Sequence, residues 1–514
     1  GGYNLIDTNE WKRTLTNLWR RCCESVGVKR LPSKSNGVDI RITSNGTYSV
    51  GKEKKQLDQY DNDFIKRNKE VGMNEVSERD IPTKQENYTP EDLKKILTGY
   101  KRISGYRHMD FSLNEIKKYL KKYKKVFTGK KYMNIYFDNA ATTKVRDEVI
   151  DQISDILKDC FGNPSSTHSY GRSAKSYIEI SRKKIAEILI CEASEIIFNS
   201  GGTEADNSLL KCSVKDFGIE RIISSKIEHH AITHTLDELE KEGAIVNYVD
   251  INNKGEINYN HLEELLNDDD DLKLVSLMYV NNEIGNITDV DKVSDLCKKN
   301  NSFFHTDAVQ AVGHYKIDLK KTQIDFLSAS AHKFHGPKGV GFSFIRKTSR
   351  LSPFICGGPQ ERGLRGGTES VHNIVGMTRA LEISYNKISE ESKYISSIKE
   401  YTINELKALF PKIHFNGLSG NLDRSTYTIL NVCFPLDNEK GSMLDFHLDL
   451  NGIACSKGSA CQSGSSSGSH VLNEIQTDDL KKYPSVRFSF SHYNTKKEVD
   501  YLIDTINKLI NTTN

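Results

Sequence analysis

Apolar positions along this chain change their pattern near Met133. Before it, residues 1–132 are polar and lysine-rich, and residues 53–92 mix charges with few apolar positions, the pattern of a loosely folded or linking stretch. Thr89-Pro90-Glu91-Asp92 opens a predicted helical stretch over 90–127, where Leu113, Ile116 and Leu120 follow at helical spacing. After Met133, short apolar runs alternate with amphipathic stretches. Runs at 134–137, 196–198, 221–224, 244–249, 274–278, 303–306 and 326–329 predict strands, and 146–158 and 172–189 predict helices. Strands alternating with helices predict an α/β fold: a mostly parallel sheet, covered on both faces, that takes ligands beyond the carboxyl ends of its strands. A long helical stretch over 370–409 leads to a smaller α+β region, with strands at 426–432 and 485–490 and a closing helix at 496–511. The expected organisation is an N-terminal extension (1–132), a large domain (133–390) and a small C-terminal domain (391–514).

Composition narrows this picture only slightly. The 514 residues, 37% hydrophobic and 27% charged, suit a soluble globular protein with several domains. A net charge of +3 gives no general case for binding nucleic acid or a membrane surface. No stretch approaches the ~20 apolar residues that span a bilayer, and Gly1-Gly2-Tyr3-Asn4 lacks the basic start and apolar core of a signal peptide. Ten cysteines are scattered without a C-x-x-C pair, which argues against a disulfide framework or a zinc site and for a reducing, cytoplasmic setting.

Candidate chemistry gathers at the ends of the predicted strands. In Ser330-Ala331-His332-Lys333-Phe334-His335-Gly336-Pro337-Lys338-Gly339, a lysine follows a strand and precedes a Gly-Pro-x-Gly turn. Enzymes that use pyridoxal phosphate (PLP) need such a lysine to form a Schiff base with the cofactor aldehyde. Alone, a loop lysine is a surface charge; Ser330 and His332 beside it are donors suited to a phosphate. Asp307 closes an apolar strand in His305-Thr306-Asp307-Ala308-Val309-Gln310, where a carboxylate can keep a pyridine nitrogen protonated or merely cap a helix. Asn199-Ser200-Gly201-Gly202-Thr203 joins a strand to a helix and exposes backbone N–H groups to an anion, although the Gly-Lys-Ser/Thr of a mononucleotide loop is missing. His229, in Glu228-His229-His230-Ala231, can stack on a ring and exchange protons near neutral pH. Its side chain diverges from that of His230, and no further ligands follow at metal spacing, so no metal site is expected. Cys461 lies in a Ser/Gly-rich stretch that predicts a flexible loop, from which a thiolate can reach both a buried cofactor and an external acceptor.

In this order, the segments resemble the NifS/IscS-type cysteine desulfurases of PLP fold-type I. The resemblance is carried by Tyr136–Thr143, Gly162–Ser166, Gly201–Asn207, Glu228–Ala231, Val280–Gly285, Asp307–Gln310, Ser330–Lys333, Arg365–Thr368 and Gly458–Cys461, and covers Met133 to the end. It implies a seven-stranded large domain and an α+β small domain. It also implies that Lys333 holds PLP, Asp307 pairs with the pyridine nitrogen, Gln310 contacts the ring hydroxyl and His229 stacks on the ring and shuttles protons. Gly202, Thr203, Ser330 and His332 would bind the phosphate, and Thr368 would reach the phosphate of a neighbouring subunit in an obligate homodimer. Asn282 would contact both cofactor and substrate, holding the substrate carboxylate together with Arg487. The implied reaction takes sulfur from L-cysteine as a persulfide on Cys461 and leaves L-alanine. The sulfur would pass to an acceptor such as an iron–sulfur scaffold, where Cys461 could touch a nascent cluster, or a tRNA-thiolation protein. A selenocysteine lyase or aminotransferase of the same fold is the alternative, and the loop thiol argues against the aminotransferase.

Two positions depart from the family pattern. Ser466-Ser467-Gly468 replaces the usual Leu-Glu-Pro, and Cys455 stands where many relatives have Ser or Ala. Cys455 reads as a small buried residue on the strand before the loop, with a persulfide relay as the alternative. Residues 1–132 lie outside the resemblance. Trp11-Lys12-Arg13, Leu18-Trp19-Arg20-Arg21 and Tyr48–Lys52 resemble, loosely, the C-terminal part of plasmid rolling-circle replication initiators. No function, and no nucleic-acid partner, is assigned to this segment.

Overall fold

The structure, a computed structural model, describes residues 133–457 and 468–511 and, before them, three short strands. The chain divides into two compact units, Gly1–Lys131 and Tyr132–Asn514. In the first, β1 (Ile40–Ile42), β2 (Thr47–Val50) and β3 (Glu53–Gln56) form an antiparallel sheet in the order β1-β2-β3. The start of the stretch expected to be loose, residues 53–56, is thus a strand. The expected helix over 90–127 and the basic-aromatic start at Trp11–Arg21 lie outside the described residues.

The second unit opens with β4 (Ile135–Tyr136), followed by helices α1 (Asp147–Asp159) and α2 (Ser169–Leu189). A seven-stranded sheet follows. Its strands are β5 (Ile196–Asn199), β6 (Arg221–Ser224), β7 (Ile245–Tyr248), β8 (Lys273–Ser276), β9 (Phe303–Asp307), β10 (Phe326–Ser330) and β11 (Gly341–Ile345), in the order β5-β11-β10-β9-β8-β6-β7. Helices α3 (Gly202–Phe217), α4 (His230–Lys241), α5 (Tyr259–Asn267) and α6 (Val290–Lys299) connect the strands.

Neighbouring strands pair in parallel except around β11, which is antiparallel to both β10 and β5. Sequence patterning does not pick out β11. Phe342, Ser343 and Phe344 are all buried, and this five-residue run follows at once on the Gly336-Pro337-Lys338-Gly339 turn that dominates the local pattern. Its direction follows from its connection: residues 331–340 are too few for the crossover that a parallel partner needs.

Helix α7 (Val371–Leu409) runs 39 residues, on the order of 60 Å at ~1.5 Å per residue. Its first half, with Val371, Ile374, Met377 and Leu381, packs into the core around the main sheet. Gly376 sits where α1 crosses it: an added Cβ would lie 2.5 Å from Ile153 Cγ1. The second half, with Ile395, Ile398, Ile403 and Leu406, packs into a second core. That core is built on β12 (His414–Phe415), β13 (Ile429–Cys433) and β15 (Ser485–Ser489), with helices α8 (Asn438–Leu450) and α9 (Lys496–Asn511). Ile135 and Phe137 join this second core, because β4 pairs in parallel with β14 (Ile453–Ala454) rather than with the main sheet. The strand expected over 426–432 begins only at Ile429. Thr426 N–H instead donates to the Gly285 carbonyl (2.8 Å).

Lys399, fully buried on α7, donates to Ser425 Oγ and to the Thr426 carbonyl, each at 2.7 Å. Burial depresses its ammonium pKa to about 7. The native state therefore releases a proton that the unfolded chain keeps up to its ordinary value of 10.5, so this group's contribution to stability rises with pH between 7 and 10.5 and falls as pH drops through 7. Lys399→Met should flatten that rise. Thermal unfolding of both proteins across this window should show the parent gaining on the variant as pH increases.

Candidate active site

Because β5, β6, β8, β9 and β10 point the same way, the segments that follow them meet at one edge of the sheet. β5 leads through Gly201, at φ +142°, into the N-terminus of α3 at Gly202. Positive φ at Gly201 and the close packing of Gly202 require glycine. A Cβ on Gly202 would lie 2.7 Å from Val309 Cγ2, and one on Gly201 would lie 3.3 Å from Ser330 Oγ. The free N–H groups of this helix start, the buried Ser330 at the end of β10 and the exposed Thr203 make a cradle suited to a phosphate.

Lys333 closes the short turn Ala331–Lys333 that follows β10. Its Nζ donates to the carbonyls of Ala140 (2.6 Å) and Ala141 (3.0 Å). Gln310 Nε2 donates to the same Ala140 carbonyl at 2.9 Å, so Lys333 and Gln310 meet on one backbone group. The sequence motif at 138–143 therefore works largely through its backbone. Thr142 Oγ1 also meets His332 Nδ1 (3.2 Å), and Thr143 Oγ1 accepts from His335 N–H (2.8 Å).

Asp307 ends β9, buried, with Oδ1 accepting from Val309 N–H at 2.9 Å. Burial and then the nearby Asp206 push its carboxyl up to about 7. Asp206, which accepts from Ser328 Oγ, is likewise raised by burial to about 7. Glu228 is pushed well above the carboxylate range by burial; its Oε1 accepts from Met278 N–H, and its Oε2 is buried without a partner. His305 Nδ1 meets Ser276 Oγ (2.9 Å), while Nε2 lies 3.6 Å from Asp206 without a hydrogen bond. This pocket of buried carboxyls is under-neutralised, and a cationic pyridinium is the kind of group it suits. Sequence reasoning quoted Asp206, Glu228 and His305 inside motifs but gave them no role. The available signal was polar residues inside or just beyond otherwise apolar strands.

His229, after β6, caps α4, its Nδ1 accepting from Ala231 N–H at 3.1 Å. Burial first, then the charge of Lys333, lowers its pKa to about 4, so the imidazole is neutral near pH 7. His332 is lowered to about 4 in the same way, by burial and then Lys333.

The second core contributes Arg487, 1% exposed on β15. Its Nη1 donates to the Asn282 carbonyl (2.8 Å) and its Nη2 to Asp138 Oδ1 (3.0 Å). Arg487 and Asn282 are thus brought together, with Asp138 as a partner that sequence reasoning did not single out. Thr368 stands exposed beyond Arg365, whose guanidinium pairs with Glu204 on the first turn of α3 (2.9 Å). Cys461 lies outside the described residues. Cys455 is half-buried against the second core, and burial, then Asp138, drives its thiol pKa far up, the opposite of what a reactive thiolate needs. Among the described residues, no group of three or more His, Cys, Asp or Glu side chains could hold a metal ion, and no helix is long and apolar enough to cross a membrane.

The parallel sheet, the glycine cradle, the strand-end lysine and the buried carboxylate together define a PLP-dependent enzyme of fold-type I. Residues 135–502 match the family described as aminotransferase class-V. The chain is 39% identical over 381 residues to cysteine desulfurase IscS of Dictyoglomus turgidum, covering 73% of this chain and 94% of that protein. It superposes on a solved NifS-like protein with a TM-score of 0.68 at 37% identity, covering 74% of this chain and all of that one. A second solved structure, SspA in complex with cysteine, matches at 30% identity and a TM-score of 0.61, covering 70% of this chain and all of that one. The chain belongs to the NifS/IscS-type cysteine desulfurases.

Raising Asp307 from 3.8 to about 7 means that the native apoprotein holds a proton that the unfolded chain has already released in that range. The stability this proton contributes is lost as pH rises through 7. Asp307→Asn should therefore melt higher than the parent in the cofactor-free form at about pH 8, with the advantage disappearing by about pH 4, while cofactor-dependent turnover falls. Differential scanning of the two apoproteins at both pH values checks the sign.

Proposed function

We propose that the chain removes sulfur from L-cysteine as a persulfide on Cys461, leaving L-alanine, and passes the sulfur to an acceptor protein, iron–sulfur assembly being the destination favoured by the names of its relatives. The observation that carries this reading is the convergence of Lys333, Asp307 and His229 at one sheet edge, with Arg487 held against the Asn282 backbone. A relative solved in complex with cysteine supports the substrate.

When bound, PLP supplies an electron sink for the charge left on the substrate α-carbon. Lys333 would hold it covalently, Asp307 would keep its ring nitrogen protonated, Gln310 would contact its ring hydroxyl, and Gly202, Thr203, Ser330 and His332 would take its phosphate. Arg487 and Asn282 bind the substrate carboxylate. The Lys333 amine would take the α-proton, and His229, neutral near pH 7, would move protons beside it. The Cys461 thiolate attacks the substrate sulfur. An S–S bond forms, the Cβ–S bond breaks, and the carbon takes up a proton to end as alanine. A homodimer, in which Thr368 reaches the cofactor phosphate of the partner subunit, and a reducing, cytoplasmic setting complete the proposal. The free state of all the described cysteines supports that setting.

The test is one incubation of the PLP-loaded protein with L-cysteine and a reductant, quantifying alanine and sulfide together. Equal yields are expected. Cys461→Ala should keep the cofactor yet lose both products by on the order of 100-fold or more. Full sulfur release from that variant would remove Cys461 from the reaction.

A further inference from the structure

Arg487 is held by groups of this chain on two sides. Its Nη2 donates to Asp138 Oδ1 (3.0 Å), its Nη1 to the Asn282 carbonyl (2.8 Å), and its Nε is buried without a partner. The same Asp138 oxygen accepts from Ser456 Oγ (2.7 Å), and Ser456 pairs its backbone with that of Arg487 in both directions, at 2.7 and 3.2 Å. Two carboxyls lie close to the guanidinium: Asp138, bonded to it, and Glu283, which accepts from Ser469 Oγ (2.5 Å). Burial pushes the Glu283 carboxyl up, and of the two only Asp138 is hydrogen-bonded to the guanidinium.

We propose that Asp138 is a positioning residue that competes with the substrate: it balances the charge of Arg487 in the empty site and weakens the grip on an amino-acid carboxylate, so that alanine leaves readily. This rests on the assignment of Arg487 to the substrate carboxylate. An anion entering a site where the cation is already paired meets a nearly neutral pair rather than a full positive charge, and a carboxylate a few ångströms away repels it. Asn at this position would still accept from Arg487 and Ser456 but would remove the repulsion. Of the five guanidinium N–H groups, Nη1 donates to Asn282 and Nη2 to Asp138 and Ser456, so N–H capacity for a further acceptor remains.

The experiment is an equilibrium titration of the PLP-loaded full chain with L-alanine and, separately, with L-alaninamide, which lacks the carboxylate charge, followed by the absorbance of the bound cofactor. Asp138→Asn is expected to tighten L-alanine binding by about fivefold or more and to leave L-alaninamide within about twofold. Asp138→Ser, removing the same charge with a smaller side chain, should shift L-alanine in the same direction and covers the case in which the Asn variant does not fold. Arg487→Gln should weaken L-alanine and spare L-alaninamide. If Arg487→Gln behaves so while both Asp138 variants leave L-alanine unchanged or weaker, the competition proposal is wrong and the carboxylate assignment stands. Indifference of L-alanine to Arg487→Gln overturns the assignment and the proposal with it.

Discussion

Strand polarity is the constraint from which the site follows. With β5, β6, β8, β9 and β10 all pointing one way, the segment after each strand emerges on the same edge, and residues far apart in sequence become neighbours without any loop having to travel. The cradle at Gly202, the carboxylate at Asp307, the lysine at 333 and the imidazole at 229 each lie at the end of a strand or within a few residues of one. The antiparallel β11 does not disturb this, because it returns directly from β10 and contributes no catalytic side chain of its own.

Electrostatics at that edge run against the apoprotein. Asp206, Asp307 and Glu228 share a buried space with few cations, and each is driven toward its protonated form. A folded chain tolerates such a pocket only where function needs it, since burying carboxyls costs more than the local hydrogen bonds return. The arrangement is preorganised for a positively charged ring, and the neutral imidazole of His229 beside Lys333 leaves the lysine amine free of a competing cation.

Much of this was legible in the sequence because it is local. The strand-end positions of Lys333 and Asp307, the glycines before α3 and the helices of the α/β layer all follow from periodicity and from turn chemistry within a few residues. Long-range pairings were not legible. Asp138 meets Arg487 from 349 positions away, and Gln310 and Lys333 meet on the Ala140 carbonyl, a backbone group that no side-chain motif announces. β11 escaped because its five residues follow at once on the Gly336-Pro337-Lys338-Gly339 turn, and β4 was expected as part of the large domain but is held in the second core by its pairing with β14. The partnership of Cys461 with the site rests on family resemblance, since the residue lies outside those described.

Helix α7 is a single rod embedded at one end in the core of the main sheet and at the other in the core around β13 and β15. Its first half gives apolar side chains to one core and its second half to the other, so one unbroken run of helical hydrogen bonds joins the two. The spacing of the two cores is therefore set by one continuous helix. The contact between Asn282 on one side and Arg487 on the other gains from this a fixed spacing that a hinged pair of domains would have to recover at every motion.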